Sequence, residues 1–490
     1  QSFTLTTLPK AIKPSHSGTD FWFTFMESAD PGRVSISTSG PATGYIEVPG
    51  TDYYQTFATT GAEIVSFSVP KHHTMVSDGL VESDKSLHVV SDQKVTVSAL
   101  RQEIYNSDAF LVFPTDTLGL EYMVMAYETG GSEYAVVATQ DNTTVTMTMS
   151  DNVELTNLGL NVVKVGETVQ LTLNTGDIFK VSGSDEMGPD FTGTRISANK
   201  PVAAFGANNC VYIPNDFGYC DHIVEQLIPV DSWGDQYLSM PLSTRNGDTY
   251  RIMAAQDDTY ITINGSIKLK LDAGQFVERV LYGPQEIVGS KPISLAQFSN
   301  GDTFDSAYRA DLWTDNPHSS IPFEDIIEFA DPFMLMIPPS GQYLKEYHVM
   351  THESAFRMNY LNIIAPKGIE HTVKVDGVNV PPTYFTNIGS GEFVGAQIEV
   401  MGENHKITAD EPIGLTVYGY DYHESYGYIG GLGLGNIKDI HALNVVRSNP
   451  ISRAGEQNCT TVKVLGSEYP LYRSRIQFSV AGTDSKNDIA

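Results

Sequence analysis

The chain is dominated by short runs in which apolar and polar residues alternate. The alternation is clear in Arg33-Val-Ser-Ile-Ser-Thr-Ser, Gln93-Lys-Val-Thr-Val-Ser-Ala-Leu, Asn142-Thr-Thr-Val-Thr-Met-Thr-Met and Thr259-Tyr-Ile-Thr-Ile-Asn. A period of two with β-branched residues predicts strands that have one buried face and one solvated face. Gly, Asn and Asp interrupt these runs every ~8–12 residues, a spacing typical of β-sandwiches and barrels. We therefore predict an all-β fold.

One segment favours a helix, Ser320-Ile-Pro-Phe-Glu-Asp-Ile-Ile-Glu-Phe-Ala. Ser320 suits the N-cap and Pro322 suits the first turn. Glu324 and Asp325 lie at the positive end of the helix dipole. The segment predicts a short helix between two β units.

Three segments of the chain begin alike, with apolar residues, a proline, a glycine turn and a tyrosine that opens the next strand. The prolines are Pro114, Pro229 and Pro338, which lie roughly 110 residues apart, about one domain length. The segments are Phe110-Leu-Val-Phe-Pro-Thr-Asp-Thr-Leu-Gly-Leu-Glu-Tyr, Glu225-Gln-Leu-Ile-Pro-Val-Asp-Ser-Trp-Gly-Asp-Gln-Tyr and Phe333-Met-Leu-Met-Ile-Pro-Pro-Ser-Gly-Gln-Tyr.

Each copy ends with a charged residue and a proline that enters an apolar strand, at Lys200-Pro, Lys291-Pro and Glu411-Pro. A proline at the first residue of a strand costs no hydrogen bond in the sheet. The N-terminal stretch fits the template less well. We predict four tandem antiparallel β-sandwich or barrel-like units, packed rigidly. Their predicted bounds are residues 1–107, 108–220, 221–330 and 331–430, followed by an extension at 431–490 outside the repeat.

Several of these features occur together in one known family. They are Gly18-Thr-Asp-Phe-Trp-Phe-Thr-Phe, the recurring Lys-Pro strands, and Cys210 followed by Cys220-Asp-His-Ile-Val-Glu-Gln-Leu-Ile-Pro. Over residues 18–430 the chain resembles the N-terminal domain of the IgG-Fc-binding protein family. That family includes a secreted mucus protein of animals and domains of invertebrate and bacterial surface proteins. The resemblance implies an extracellular module without enzymatic activity, and it carries over no antibody-binding motif.

The charge balance excludes some classes of partner. The chain has 59 Asp and Glu against 30 Lys and Arg, for a net charge of −29. A nucleic-acid-binding protein needs Lys and Arg to neutralise phosphates, and docking to anionic membranes needs the same charges. No apolar run is long enough to span a membrane. The chain begins at Gln1 without a signal-peptide pattern, so a processed N-terminus and an excised fragment are both open.

The cysteines and glycosylation sequons indicate in which cellular or extracellular compartment the protein is found. Cys210 and Cys220 flank a turn, and we predict that they form a disulfide in an oxidising environment; in a reducing cell they would be buried free thiols. Cys459 is left over, as a spare thiol or with a partner elsewhere. Glycosylation of the sequons requires a eukaryotic secretory route, and in a bacterium they would be plain surface asparagines. The sequons are at Asn142, Asn264 and Asn458.

We predict no metal site and no cofactor, apart from weak Ca²⁺ binding by acidic turns. The acidic residues of those turns are Asp257, Asp258, Asp302, Asp305 and Asp311. The histidines lack the spacing of a zinc helix, and we expect them to be surface or hydrogen-bonded residues. The histidines considered are His72, His73, His222, His348 and His352.

Catalytic motifs such as a nucleophile elbow or a phosphate-binding loop do not occur in the sequence. We therefore predict that the protein is not an enzyme. A polysaccharide-acting enzyme would need two carboxyl groups roughly 5–10 Å apart in a cleft. Glu121, Glu225 and Glu353 are the only carboxylates singled out for that role.

The run Val417-Tyr-Gly-Tyr-Asp-Tyr-His-Glu-Ser-Tyr-Gly-Tyr is rich in tyrosine. Alternate tyrosines on one strand face can stack on sugars or on a partner protein. The alternative is a seam between units, with the phenols hydrogen-bonded. The candidate interaction surface consists of Tyr418, Tyr420, Tyr422, Tyr426 and Tyr428.

These observations favour a secreted structural or adhesive module of a mucus, matrix or surface-assembly protein. Its partners would be other matrix or surface proteins and glycans, with self-assembly through strand edges as a further mode. The alternative is a bacterial surface adhesin that recognises host or glycan ligands. A polysaccharide-acting enzyme is the third hypothesis.

Overall fold

The computed structural model describes residues 3–5, 15–26, 31–103, 105–154, 162–183, 188–215, 217, 220–301, 303–304, 331–434 and 445–447. The helix predicted at Ser320 to Ala330 lies outside these residues, as do Asn458 and Cys459. The chain forms two units, one of residues 1–11 with 442–490 and one of residues 12–441. In the first unit, β1 (Phe3–Leu5) pairs antiparallel with β35 (Val445–Arg447).

The larger unit is built from several antiparallel sheets, and the predicted all-β class is confirmed. The predicted alternation appears as burial: Val34, Ile36, Val95 and Val97 are buried on the inner face of their strands. Helices are short in the described residues: α1 (Lys71–Thr74) is a single turn, and Thr303 and Phe304 are also helical. The described single-turn 3₁₀ helices are Thr115–Thr117, Val230–Ser232, Ser340–Gln342, Glu370–Thr372 and Pro382–Tyr384.

We group the strands of the larger unit by their sheet partners into four sets in chain order. The first set is β2 (Gly18–Phe23), β3 (Gly32–Thr38), β4 (Thr43–Glu47), β5 (Tyr54–Ala58), β6 (Ile64–Val69), β8 (Leu87–Glu103) and β9 (Asn106–Val112). The second set is β10 (Glu121–Met123), β11 (Ser132–Ala138), β12 (Thr143–Thr148), β13 (Val153–Glu154), β14 (Val162–Val163), β15 (Thr168–Leu173), β16 (Ile178–Ser182), β17 (Arg195–Ala198), β18 (Val202–Val211) and β19 (Asp221–Gln226), and β7 (Val81–Glu82) pairs with its β16.

The third set is β20 (Gly234–Ser239), β21 (Asp248–Ala254), β22 (Thr259–Ile263), β23 (Ile267–Leu271), β24 (Phe276–Leu281), β25 (Gln285–Phe298) and β26 (Met334–Ile337). The fourth set is β27 (Leu344–Met350), β28 (Met358–Pro366), β29 (Lys374–Val375), β30 (Val378–Asn379), β31 (Thr386–Ile388), β32 (Phe393–Val400), β33 (Asn404–Asp421) and β34 (Glu424–Ile429).

The same pairing pattern occurs in each set. A long strand, β8, pairs with β2 and β4 through its first half and with β3 and β9 through its second half. In the third set β25 pairs in the same way with β20, β22, β21 and β26, and in the fourth β33 pairs with β27, β29, β28 and β34. In the second set the long strand is divided into β17 and β18. The two halves of the long strand therefore have different partners in the first, third and fourth sets, and β17 and β18 divide the corresponding partners in the second.

The prolines of the closing strands lie where the long strand changes partners. Pro201 precedes β18, as predicted, but Pro292 and Pro412 lie inside the continuous strands β25 and β33. The pairing register shifts there, between Gly234 and Gln236 and between Leu344 and Glu346 on the opposite strands. A register shift leaves a residue unpaired, so a proline without an N–H is tolerated at that point.

The predicted opening segments occupy equivalent places. Pro114, Pro229 and Pro339 each precede a single-turn 3₁₀ helix. The third equivalent proline is Pro339, one residue after the predicted Pro338. The Pro-Pro pair in the sequence does not specify which proline begins the turn. The hydrogen bond from the N–H of Gln342 to the carbonyl of Pro339 identifies Pro339.

A buried tyrosine ties each opening turn to the closing strand of the same set. The hydroxyl of Tyr122 accepts the N–H of Gly119 at 2.8 Å and donates to the carbonyl of Val202 at 2.7 Å. Tyr237 makes the same two bonds, with Gly234 and Ile293. The fourth set repeats the arrangement with Tyr347, Leu344 and Ile413, so the equivalent tyrosine there is Tyr347 rather than the predicted Tyr343.

Each opening turn also packs on the preceding set. A Cβ atom on Gly18, Gly119 or Gly234 would overlap the ring of Pro114, Pro229 or Pro339, respectively. Glycine is therefore required at these places by the close approach of the neighbouring proline. The contact links the first set to the second, the second to the third and the third to the fourth.

We predict that Tyr237→Phe destabilises the protein by ~1–3 kcal/mol, because the substitution leaves the N–H of Gly234 and the carbonyl of Ile293 buried without a partner. Urea denaturation followed by fluorescence measures the change. Tyr260→Phe is the matched control, because Tyr260 is 57% exposed. A loss no larger than that of the control would contradict the structural role of the hydroxyl.

Candidate functional site

Four edge strands meet in the middle of the larger unit. They are β9, β19, β26 and β34, the last strand of each set, and each has a sheet partner on one side only. We call them the central strands. They lie beside one another in the order β9, β19, β26, β34, with β34 again next to β9. The free edges thus face one another, and their N–H groups need other acceptors.

The carboxylate of Asp108 on β9 supplies acceptors for all four central strands. Its Oδ2 accepts the N–H of Val224 at 3.0 Å and of Met334 at 3.3 Å. Its Oδ1 accepts the N–H of Gly427 at 3.2 Å and of Ala109 at 2.7 Å. Asp108 is fully buried, so these bonds replace the water that the carboxylate loses.

The segment Asp221-His-Ile-Val-Glu-Gln supplies more acceptors of the same kind. Asp221 accepts the N–H of Ser107 at 2.8 Å, and Glu225 accepts the N–H of Met336 at 3.1 Å. The side-chain oxygen of Gln226 accepts the N–H of Phe113 at 2.8 Å. The side chains of the acidic motif that carries the family resemblance therefore form hydrogen bonds between the central strands.

Burial raises the pKa of Asp108, Asp221 and Glu225 well above the ordinary value of a carboxyl. A nearby carboxyl, Asp331, raises that of Asp221 further, and Asp108 raises that of Glu225. The backbone N–H donors oppose the shift in each case. These buried acids hold strands together, and Glu225, one of the carboxylates considered for catalysis, is among them.

The predicted pair Cys210–Cys220 is joined by a disulfide. Cys210 lies in β18, and Cys220 immediately precedes β19. The bond closes the loop between these paired strands and fixes the point where β19 enters the centre. The two cysteines are ten residues apart in the sequence. A disulfide across this separation lowers the entropy of the unfolded chain and stabilises the folded protein by ~2–3 kcal/mol.

Most of the predicted tyrosine surface is buried. Tyr418, Tyr420 and Tyr426 are 0% exposed and Tyr428 is 2% exposed, whereas Tyr422 is 41% exposed. These four tyrosines are therefore buried within the protein, which agrees with the second of the two interpretations open from the sequence only where a tyrosine also contacts another strand set. They lie on two paired strands, β33 and β34, whose residues are buried on both faces at this point. Alternation along a strand does not indicate what covers its second side.

Tyr418 is hydrogen-bonded across the third and fourth sets, whereas Tyr426 and Tyr428 bond within the fourth set. The hydroxyl of Tyr418 accepts the N–H of Ser243 and donates to Asn362 Oδ1, both at 2.9 Å. Tyr426 donates to Asn359 Oδ1 at 2.7 Å. The ring of Tyr360 stacks on Tyr418 with 5.4 Å between centroids.

A partly exposed group of aromatic and acidic side chains lies instead on the first set, in which Trp22 is buried and Tyr54 is exposed. Trp22, Tyr45, Tyr54 and His88, with Asp20 and Glu47, share one face of β2, β8, β4 and β5, and we call this group the aromatic face. His88 stacks on Trp22 at 4.0 Å, and Tyr45 stacks on Tyr54 at 5.3 Å. Tyr54 is 56% exposed, so a flat aromatic side chain is available to a partner.

His88 fixes the two carboxylates of the aromatic face. Its Nε2 lies 3.0 Å from Asp20 Oδ2, and its Nδ1 lies 3.1 Å from Glu47 Oε1. Burial alone would raise the pKa of Asp20, but hydrogen bonds from His88 and Thr115 lower it overall. The face therefore presents fixed negative charge beside aromatic rings. Sequence analysis missed it because its residues come from four strands and share no local motif.

The remaining predicted residues lie apart from the aromatic face. Asn142 and Asn264 are exposed at turns with φ of 55° and 47°. Asn264 Nδ2, the atom that a glycan would occupy, donates to Gln285 at 2.9 Å. Glu121 lies in β10, and Glu353 lies in the loop after β27, where it accepts the N–H of Gly402 at 2.6 Å.

The acidic turns and the histidines are mostly engaged within the protein. Asp257 accepts the N–H of Ala273 at 3.0 Å, and Asp258 pairs with Lys270 at 2.6 Å. His348 lies 2.9 Å from Glu346. In the part of the chain that the structure describes, no group of three or more His, Cys, Asp or Glu is arranged to hold a metal. Asp302, Asp305 and Asp311 lie outside that part.

The family model described as IgGFc binding protein matches residues 108–419. The chain belongs to the IgGFc-binding protein family. The matched range includes β19, with the acidic motif at its beginning, and most of the second, third and fourth strand sets.

Among curated relatives of this IgGFc-binding family chain is the human IgGFc-binding protein, 26% identical over 223 residues. The match covers 44% of this chain and 4% of the human protein, so the chain spans a small part of that relative. A crystal structure of a tetra-tandem repeat from the extending region of a large adhesion protein aligns over 86% of this chain and 96% of that chain, at 9% identity and a TM-score of 0.09. That score supports no argument about fold. No helix in the described residues has the length and apolar character to cross a membrane.

In the larger unit, the beginning and the end of the described chain are joined by hydrogen bonds between His16 and Leu432. The N–H of His16 donates to the carbonyl of Leu432 at 3.0 Å, and the N–H of Leu432 lies 3.2 Å from His16 Nδ1. Burial lowers the pKa of His16 to about 4, a shift that the nearby His348 reinforces and the Leu432 carbonyl opposes. His16 is therefore neutral in the folded protein at neutral pH.

We predict that acidification from pH 6.5 to about 4 removes up to ~3 kcal/mol of stability through His16. Its pKa is lower in the folded chain, so the unfolded chain binds the proton first as the pH falls. The raised pKa values of Asp108, Asp221 and Glu225 have the opposite effect, because the folded chain holds these protons more tightly than the unfolded chain and loses that stabilisation as the pH rises. The difference between wild type and His16→Gln in urea denaturation at each pH isolates the histidine.

His16→Gln should lose less stability than the wild type on going from pH 6.5 to 4. His371→Gln, at an exposed histidine, is the control and should follow the wild type. Equal acid sensitivity of wild type and His16→Gln would contradict the role of His16 at this closure.

Proposed function

We propose that the chain is an extracellular structural or adhesive module of a mucus, matrix or surface-assembly protein. It acts through protein–protein or protein–glycan surfaces and performs no catalysis. The family membership supports this proposal, because the family resemblance implies secreted and surface proteins. The disulfide Cys210–Cys220 fits an oxidising compartment.

The proposed module consists of four copies of one β unit, at residues 1–107, 108–220, 221–330 and 331–430. The recurrence of one pairing pattern supports the copies. The proline–glycine contacts between successive sets, and the bonds of Asp108 to β19, β26 and β34, support a rigid arrangement. A rigid module loses little entropy when a partner binds.

The aromatic face is the single observation that carries the adhesive part of the proposal. Exposed tyrosines combine contact area with few rotatable bonds, and they are enriched at binding surfaces. The bonds of His88 to Asp20 and Glu47 hold the neighbouring acids in place before a partner arrives. Such preorganisation lowers the cost of binding. The net charge of −29 keeps the module soluble.

We predict that the purified chain binds immobilised mucin or matrix glycoproteins and that Tyr54→Ala weakens this binding about five- to tenfold, a typical loss at an aromatic anchor. Biolayer interferometry measures the affinities. Tyr260→Ala is the matched control, because the two tyrosines are 56% and 57% exposed and both lie on strands.

Two results would overturn the adhesive role of this face. One is an affinity of Tyr54→Ala equal to that of Tyr260→Ala. The other is the lack of saturable binding of the wild-type chain to any extracellular glycoprotein tested, at concentrations where the chain remains folded.

A further inference from the structure

Three of the four contacts between successive strand sets are closed by buried polar or aromatic groups. Between the first and second sets, Lys180 Nζ donates to the carbonyl of Met26 at 2.9 Å. Between the second and third sets, Arg251 is 1% exposed and donates to the carbonyl of Ala126 at 2.9 Å and to Asp190 at 2.8 Å. Between the third and fourth sets, the buried hydroxyl of Tyr418 accepts the N–H of Ser243 at 2.9 Å.

The contact between the fourth and first sets is different, because it contains an open groove of about 350 Å³. This volume is within the range of roughly 300–1,000 Å³ found for small-molecule sites. Side chains of β3, β8 and β27 and the chain before β2 line it. The lining includes Ser37, Ser39, Lys94, Thr96, Glu346 and His348.

One side of the groove is a row of hydroxyl groups. Ser37 on β3 lies directly opposite Thr96 on β8. Ser39 follows Ser37 by two residues, and Lys94 precedes Thr96 by two residues. In the described part of the chain, the hydroxyls of Ser37, Ser39 and Thr96 make no hydrogen bond to protein. Ser39 is exposed and Ser37 and Thr96 are half-buried, so this row of hydroxyls is open to water or to a ligand.

Lys94 is the unpaired positive charge of the groove. Its amino group has no ion-pair or hydrogen-bond partner within the described residues. The other charges of the groove are compensated: Glu346 lies 2.9 Å from His348 and 3.1 Å from Lys406, and Lys345 lies 3.6 Å from Glu411. An unpaired lysine beside free hydroxyls attracts an anionic group that also carries hydroxyls.

The lining also argues against other classes of small ligand. Leu344 is the one aliphatic side chain among the residues of the groove, whereas sites for apolar ligands have predominantly hydrophobic walls. No aromatic side chain other than the two histidines, His16 and His348, lines it, so a nucleobase would find no broad stacking surface. A polyhydroxylated ligand can use the hydroxyl row without an apolar wall.

We propose that this groove binds an acidic sugar, with the carboxylate or sulfate group at Lys94 and the sugar hydroxyls along Ser37, Ser39 and Thr96. The groove uses none of the residues of the aromatic face. The inference therefore stands or falls independently of the adhesive role assigned to that face.

Titration of the full chain with 3′-sialyllactose, 3′-sulfolactose and lactose, followed by ligand-observed NMR and calorimetry, tests the proposal. At least one charged sugar should bind about tenfold or more tightly than lactose, since a charge-assisted hydrogen bond distinguishes them. The charged sugar that binds identifies the anionic group. Binding should weaken as the salt concentration rises.

Lys94→Ala should weaken binding of the charged sugar about tenfold, and Lys94→Arg should retain most of it. Lys268→Ala is the matched control, because Lys268 is an exposed strand lysine outside the groove. The proposal is overturned if neither charged sugar binds, if lactose binds equally well, or if Lys94→Ala binds like Lys268→Ala. Because Lys94 is exposed and makes no contact that the fold requires, loss of folding does not obscure the result.

Discussion

One buried carboxylate, Asp108, holds the centre of this molecule together. Its two oxygens accept backbone N–H groups from β9, β19, β26 and β34, which are the last strands of the four sets. Removal of the side chain would leave three N–H groups of neighbouring sets without an acceptor, each at a cost of ~1–3 kcal/mol when buried. The position of each set relative to the others therefore depends on this residue more than on any local element.

The same constraint explains why a protein with an excess of negative charge places acids in its interior. Four free strand edges that face one another present N–H groups, and a carboxylate accepts several of them at once. Asp221 and Glu225 add bonds of the same type to Ser107 and Met336. The acidic segment that marks the family is thus a structural feature, which leaves the exposed aromatic face and the hydroxyl-lined groove as the surfaces open to partners.

Local patterns predicted the strands and two of the three opening prolines, because a period of two and a Pro–Gly turn are set by neighbouring residues. They did not predict the centre or the closure: Asp108 reaches Gly427, and His16 reaches Leu432, across most of the sequence. The tyrosine run shows that a local pattern also does not predict which side chains are buried. Alternation places Tyr418 on a strand face, but the sheet that covers that face comes from another set.

Hydrogen–deuterium exchange of Asp108→Ala against the wild type is the most direct test of this account. We predict faster exchange in peptides that cover all of β9, β19, β26 and β34, because the N–H groups of Val224, Met334 and Gly427 lose one shared acceptor. Asp116→Ala, at an exposed aspartate close in sequence, should leave exchange in these strands unchanged. Faster exchange confined to β9, with β19, β26 and β34 as protected as in the wild type, would contradict the central role of Asp108.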